Sequence, residues 1–269
     1  MFTEIPPGVI FYTKKIYGGM TMPLNRAALK QRAKETIRTS QPSAITVGVV
    51  VLLLSIIINM LSARLMGLNI SQSEISNYMT YFSQGNYDAA LQYVDRMQPP
   101  GGAHAIDLLL TIIRSVLEAG FIIFLLNTIR STQPCFGNLM DGFGFFFKII
   151  LLNILTAVFI VLWSMLLFIP GIIAAYSYSQ AIYILVDDPS KSAMQCLRES
   201  KAMMRGHKME LFRLNLSFLG WYLLASLPTM GYAVQVWTLP YTSMTYALYY
   251  EQLAYGSIGH DYEDPVYRY

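Results

Sequence analysis

Residues 44–61 read AITVGVVVLLLSIIINML, a run without a single charged side chain. Nothing else in the chain limits its folding so strongly. At about 1.5 Å of rise per residue, a helix of this length nearly crosses a hydrocarbon layer of about 30 Å. In lipid a helix satisfies its own backbone groups, whereas irregular chain does not. The rest of the composition agrees. Of 269 residues, 54% are hydrophobic and 13% charged, against about 25% charged in a soluble domain. Mean hydropathy is +0.42. These values predict an all-α integral membrane protein.

The same reading along the chain predicts a six-span helical bundle with amphipathic interfacial helices. Its spans are expected at about 44–61, 107–129, 149–169, 172–186, 211–227 and 231–250. The sixth is the weakest, because Gln235, Pro240 and several hydroxyls interrupt it, so it should be buried or kinked. Residues 25–253 form one membrane domain. Residues 1–24, with Pro6, Pro7, Gly8, Gly18, Gly19 and Pro23, are expected to be a flexible tail, and 254–269 a second tail. No cleavable signal peptide is expected, and the first span can act as an uncleaved anchor.

Between the spans, Asn25 is expected to cap a basic amphipathic helix with Ala28, Leu29, Ala33 and Ile37 on one face. Such a helix suits the anionic leaflet. No folded reader or aromatic platform accompanies its charges, which argues against a nucleic-acid partner. The loop 63–106 is extracytoplasmic and should hold two short helices, about Ser73–Ser83 and Tyr87–Met97. Gly85-Asn86 separates them, and Pro99-Pro100-Gly101-Gly102 stops the second. Asn69-Ile70-Ser71 fits the glycosylation pattern. Gly137, Gly142 and Gly144 among phenylalanines suggest a loop and a short interfacial segment before span three.

Pro170 and Gly171 are expected to break spans three and four into a hairpin, with a single bent helix as the other reading. Asp187-Asp188-Pro189 then opens a polar segment. Asp188 or Ser190 should cap a cytoplasmic amphipathic helix over 189–206, lying on the leaflet or against the bundle. Ala193, Met194, Leu197 and Met204 mark its apolar face. His207 and Lys208 follow. A lone histidine there reads as a base or, more simply, as a cap or headgroup contact.

Arg114 and Glu118 share one face of span two. Charge within a membrane is costly and tends to face a bundle interior or water. The pair reads either as a polar pathway or as a self-neutralising structural pair with Arg114 snorkelling. Catalytic patterns are missing. His104, His207 and His260 lie in separate segments, no HExxH or GxSxG occurs, and Cys135 and Cys196 read as free thiols. No catalytic residue, metal or cofactor is predicted.

Sixteen of the nineteen lysines and arginines fall on one side of this layout. Arg64 and Arg96 fall on the other, and Arg114 lies within a span. The excess places both termini in the cytoplasm.

The segments LWSMLLFIPGIIAAYSYSQAIYILVDDPSKSA, ESKAMMRGHKMELFRLNLSFLGWYLL, LPY and YYEQL resemble the bacterial "domain of unknown function 975" family of multi-pass membrane proteins. The resemblance runs from about residue 25 to 253. It implies a largely α-helical protein of the bacterial plasma (inner) membrane, and it implies no substrate, cofactor or catalytic residue. The chain is loosely similar to membrane portions attached to some glycerophosphodiester phosphodiesterases, an analogy that points to lipid or envelope. The expected function is a non-enzymatic membrane module for envelope, immunity or partner scaffolding. A transporter or channel with a polar path near Arg114 and Glu118 is the alternative, and an intramembrane lipid-processing enzyme the third. The expected partners are membrane lipids with anionic headgroups at the cytoplasmic face, and a membrane-protein partner or a second copy.

Overall fold

The computed structural model describes residues 25–66, 72–96, 102–227 and 231–255. Among the described residues every regular element is helical. In chain order these are α1 (Arg26–Thr39), α2 (Ala44–Leu65), α3 (Gln72–Ser83), α4 (Tyr87–Arg96), α5 (Ala103–Ile129) and α6 (Asn138–Asp141). A 3-10 turn (Gly142–Phe145) leads to α7 (Phe146–Leu166), α8 (Phe168–Tyr178), α9 (Ala181–Asp187) and α10 (Ala193–Met203). Then come α11 (Lys208–Leu216), α12 (Leu219–Ala225) and α13 (Gly231–Tyr255).

Four helical stretches among the described residues are long and apolar enough to cross a membrane: Ala44–Leu65, Ala103–Ile129, Asn138–Leu166 and Phe168–Asp187. Helix α7 leaves Ile154, Val158, Val161, Leu162 and Met165 exposed. In water so large an apolar face would drive association. Against acyl chains it is the expected surface.

The centre of the fold is α13, the segment that looked least like a span. It packs against α1, α2, α5 and α12. Met244, Ala247, Leu248 and Tyr249 are fully buried along it. Its threonines carry their own solution to burial. The hydroxyls of Thr238, Thr242 and Thr245 donate to the carbonyls of Val234, Thr238 and Tyr241 at 2.7–2.8 Å. Each polar atom is thereby satisfied within the helix. Pro240 lies beside Gly48 of α2, where an added Cβ would sit 3.2 Å from the proline Cβ.

Several expectations are corrected. The chain breaks at Leu167, which is extended (φ −164°, ψ 150°), and not at Pro170-Gly171. Pro170 sits in the first turn of α8, where its missing N–H costs no hydrogen bond. Gly171 marks the close approach of α7 and α8, because a Cβ there would strike Ser164. Segment 172–186 bends between α8 and α9, and segment 211–227 is two short helices, α11 and α12. The helix expected over 189–206 spans Ala193–Met203. Its cap is Ser192, whose hydroxyl accepts from the Gln195 amide. Asp188 cannot cap it, because it accepts instead from the amide and hydroxyl of Ser190. Met194 is exposed, whereas Ala193, Cys196, Leu197 and Met204 are buried.

Helix α1 is capped by Asn25 as expected, its side chain accepting from the amides of Ala27 and Ala28. Its apolar face, however, turns onto the protein: Leu29, Ala33 and Ile37 are buried, and the helix packs on α13. Lys30 donates to the Ser217 carbonyl (3.1 Å) and stands 4.1 Å above the Phe218 ring. A cation at the C-terminal end of α11 meets the negative end of that helix dipole. Outside the four long apolar stretches, α3 and α4 fall close to the expected bounds and are separated at Gly85 (φ +70°). The tail 1–24, the glycosylation pattern, Pro99 to Gly101, and residues beyond 255 lie outside the described residues.

Candidate functional site

The bend between α8 and α9 builds the site. At Ser179-Gln180 the helix stops, which frees the Ser177 carbonyl and the Gln180 amide. Ser200 of α10, fully buried, takes up both. Its hydroxyl donates to Ser177 O (2.8 Å) and accepts from Gln180 N (3.1 Å). The backbone is thus satisfied at the bend, and Gln180 stands in the wall of a cavity of about 460 Å³. Ala175 and Leu211 line part of the cavity. Its polar lining is Tyr176, Ser179, Gln180, Tyr183, Asn215 and Tyr246. No charged side chain contributes to this lining.

The hydrogen bonds have a fixed direction. Ser179 donates its only hydroxyl proton to Tyr176 O (2.9 Å). It can therefore only accept from Gln180, which orients the amide with Nε2 toward Ser179 (3.1 Å). Gln180 Oε1 is left buried without a partner, the only such side-chain atom among the described residues. On the opposite wall a chain runs one way. Tyr246 donates to Asn215 Oδ1 (2.7 Å), so its oxygen accepts from Tyr222 (3.1 Å). Asn215 Nδ2 in turn donates to the Tyr176 oxygen (3.1 Å). The Tyr176 proton ends this chain with no protein acceptor among the described residues, and the Tyr183 hydroxyl has none either. The Tyr176 and Tyr183 hydroxyls therefore keep spare hydrogen-bonding capacity, whereas Gln180 Oε1 is covered by protein.

A second cluster closes the ends of three helices. Arg130, just after α5, forms a fork on Glu251 of α13, with Nε to Oε1 at 3.0 Å and Nη2 to Oε2 at 2.9 Å. Its Nη1 donates to Asp187 of α9 at 2.6 Å. Tyr250 donates to the other Asp187 oxygen (2.8 Å), as does Tyr255. These side chains are 17%, 11% and 13% exposed for Arg130, Glu251 and Asp187. Burial alone would pull the Arg130 pKa down. The hydrogen bonds to Glu251 and Asp187 outweigh it and hold the guanidinium charged well above its ordinary range.

The residues expected from sequence fall in different places. Asp187 is central to this clamp. Asp188 serves the local turn and lies 3.8 Å from Lys191. His207 is not alone: its Nδ1 is 2.7 Å from Glu210, one turn on. Lys208 opens α11 and is half-buried. Arg114 and Glu118 pair at 3.5 Å with side chains 43% and 60% exposed, on an outward face of α5 and not in the bundle interior. Arg130, Glu251, Gln180 and the cavity tyrosines were not singled out. Their traces in the sequence are the YYEQL ending and the hydroxyl-rich AAYSYSQA run. Cys135 is exposed and Cys196 buried, both free. Desolvation pushes the Cys196 thiol up to about 11, which keeps it protonated and inert. Among the described residues no group of His, Cys, Asp and Glu has the arrangement to hold a metal.

Residues 165–256 match the model of a family described as "Protein of unknown function (DUF975)", the family that the sequence resembles. No curated protein and no solved structure matches the chain. Every residue that lines the cavity falls inside the matching segment.

Proposed function

We propose, starting from a 165–256 segment that carries the mark of a family without an assigned activity, that this chain is a non-enzymatic module of the bacterial inner membrane. It holds a small polar group in the cavity between α8–α9, α11 and α13. The single observation that carries this reading is the cavity itself, walled by the hydroxyls and amides of Tyr176, Ser179, Gln180, Tyr183, Asn215 and Tyr246. The polar lining consists of hydroxyls and amides with no carboxylate, imidazole or amine beside them. Ser179 spends its proton on a backbone carbonyl and not on a base. This suits binding better than acid–base or nucleophilic chemistry.

In this proposal the chain crosses six times. Helices α2, α5, α7 and α8–α9 make four crossings, and α11–α12 and α13 the other two. The distribution of lysine and arginine supports cytoplasmic termini. Arg198 and Lys201 on the exposed side of α10, and Arg205 just beyond its end, are suited to anionic headgroups.

The test is what the protein carries out of the membrane. Native mass spectrometry of the gently extracted full chain is expected to show a retained small molecule or lipid. Ala175→Phe, which fills the cavity, is expected to lose it. Equal retention in both proteins, or turnover of a lipid by the pure protein, would overturn this reading.

One observation favours the alternative, a transporter or channel. Glu118 lies roughly 16 Å along α5 from its end at Ile129, near the middle of a bilayer, yet it is exposed. Asn59, within 3.5 Å of Arg114, and Asn153, which donates to Ser115 of α5, are exposed as well. Polar groups at that depth need water or protein around them. A hydrated path would serve the alternative, and a protein partner or second copy would serve the first reading. In proteoliposomes, a solute flux that falls more than tenfold in Glu118→Gln would favour the path. A flux unchanged by Glu118→Gln and Arg114→Ala would exclude a path there.

A further inference from the structure

Polar side chains from three helices meet at one depth on the outside of the bundle. The stretch Ala103–Ile129 has Val116 at its midpoint, and Arg114 and Glu118 stand two residues to either side. On the reading that this stretch crosses a bilayer, both charges lie near the midplane, with the headgroups about 15 Å away. Helix α2 brings Asn59 to the same level, its Oδ1 accepting from Arg114 Nη1 at 3.5 Å. Helix α7 brings Asn153, which donates to Ser115 of α5. Asn59, Glu118 and Asn153 are exposed, and the Arg114 side chain is nearly half exposed.

The chemistry of this patch selects what covers it. Among the described residues the guanidinium contacts Glu118 Oε1 and Asn59 Oδ1, both at 3.5 Å, against about 2.7–2.9 Å for a tight charge-assisted bond. Most of its five donors, and most of the carboxylate's lone pairs, stay open. Acyl chains offer them nothing. Water would satisfy them, but Ile57 and Met60 of α2 and Ile154 of α7, close to the asparagines in sequence, are exposed as well and would be wetted too. A ligand or partner of single charge would pair one side chain and leave the other unpaired. A second copy of this chain brings both charges in complementary places.

Insertion orients all copies alike, so two copies meet about an axis along the bilayer normal and equal depths oppose. Arg114 and Glu118 differ by four residues, about 6 Å of rise, a step that a guanidinium on its flexible stem spans to the carboxylate of the other copy. Helix α5 contacts both α2 and α7. About an axis beside α5, Asn59 of one copy therefore comes opposite Asn153 of the other, and each amide carries donors and an acceptor. Thr111 and Ser115, four apart on the same face of α5, are small enough to let the two α5 helices approach.

We infer that two copies of the chain pair through this face within the membrane, with Arg114 of each copy bonded to Glu118 of the other. The pairing rests on the bilayer crossing proposed above and not on the cavity.

The test uses the full chain in vesicles of phosphatidylethanolamine and phosphatidylglycerol. Copies labelled with donor and acceptor dyes at the amino terminus are mixed, and energy transfer is followed as the lipid-to-protein ratio rises. Transfer is expected to persist on dilution, and Arg114→Gln and Glu118→Gln are each expected to weaken the dimer about tenfold. Charge reversal separates pairing from a merely structural role. Arg114→Glu alone and Glu118→Arg alone should be monomeric, and mixing the two should restore transfer, because each supplies the charge that the other lacks. Should a reversed variant fail to insert, the two Gln variants carry the test. The pairing is overturned if the wild type is monomeric at every dilution, if the Gln variants dimerise as the wild type does, or if inserted reversed variants stay monomeric when mixed. Extraction of the wild type from the vesicles by alkaline carbonate would instead sink the bilayer crossing itself.

Discussion

Arg130→Ala is expected to destabilise the protein by about 3 kcal/mol, at the lower end of the 3–5 kcal/mol that follows removal of one partner from a buried ion cluster. The substitution leaves Asp187 and Glu251 in place with their shared cation gone. Both carboxylates are largely buried, and water would have to enter or one of them take up a proton. The lower end applies because neither is fully orphaned. Asp187 keeps the hydroxyls of Tyr250 and Tyr255, and Glu251 keeps the nearby charge of Arg32. Arg130→Lys retains the charge and loses the fork on Glu251, so it should fall between alanine and wild type. Unfolding by a denaturing detergent, followed by circular dichroism, measures the difference. A loss below about 1 kcal/mol in Arg130→Ala would mean that the clamp is solvated and closes nothing.

The second large effect concerns a residue with no side chain. A Cβ at Gly120 of α5 would overlap the Leu139 carbonyl oxygen and stand 2.7 Å from both the Leu139 Cα and carbonyl carbon. The contact is reciprocal. A Cβ at Gly142 would lie 2.6 Å from the Val116 carbonyl. These atoms are backbone and cannot swing aside. Gly120→Ala is therefore expected to push α6 off α5 and cost about 2–3 kcal/mol. Helix propensity alone predicts the opposite sign, a gain of about 0.5–1 kcal/mol. Gly220 of α12, with nothing within 4 Å of its added Cβ, supplies the comparison. Gly220→Ala should be neutral or stabilising in the same assay. Equal behaviour of the two variants would refute the close approach.

Both predictions, and the cavity, concern polar or small residues, and the limits of sequence reading lie there. Charge-free runs such as 44–61 are legible because length and hydropathy alone decide whether a helix can lie in hydrocarbon. The apolar face of α1 was equally legible, since Leu29, Ala33 and Ile37 recur with helical spacing. What covers that face was not, because periodicity describes one helix and not its neighbour. α13 shows the same limit from the other side. Its threonines lowered its hydropathy, yet each hydroxyl is returned to its own helix, which makes the segment fit to be the centre of the bundle. The site depended on contacts far apart in the chain. Arg130, Asp187 and Glu251 are separated by 57 and 121 positions as counted from the arginine, and only the converging ends of α5, α9 and α13 join them.

The amino-acid order by itself therefore determined the helical class, the stretches apolar enough to cross a membrane and the places where helices could run, because these depend on local hydropathy and backbone satisfaction. The tertiary structure alone decided that the break falls at Leu167, that α1 and α10 bury their apolar faces in protein, and that hydroxyls and amides of α8, α9, α11 and α13 line one cavity. Those outcomes depend on which polar atoms meet across the bundle, a relation that only the packed structure contains.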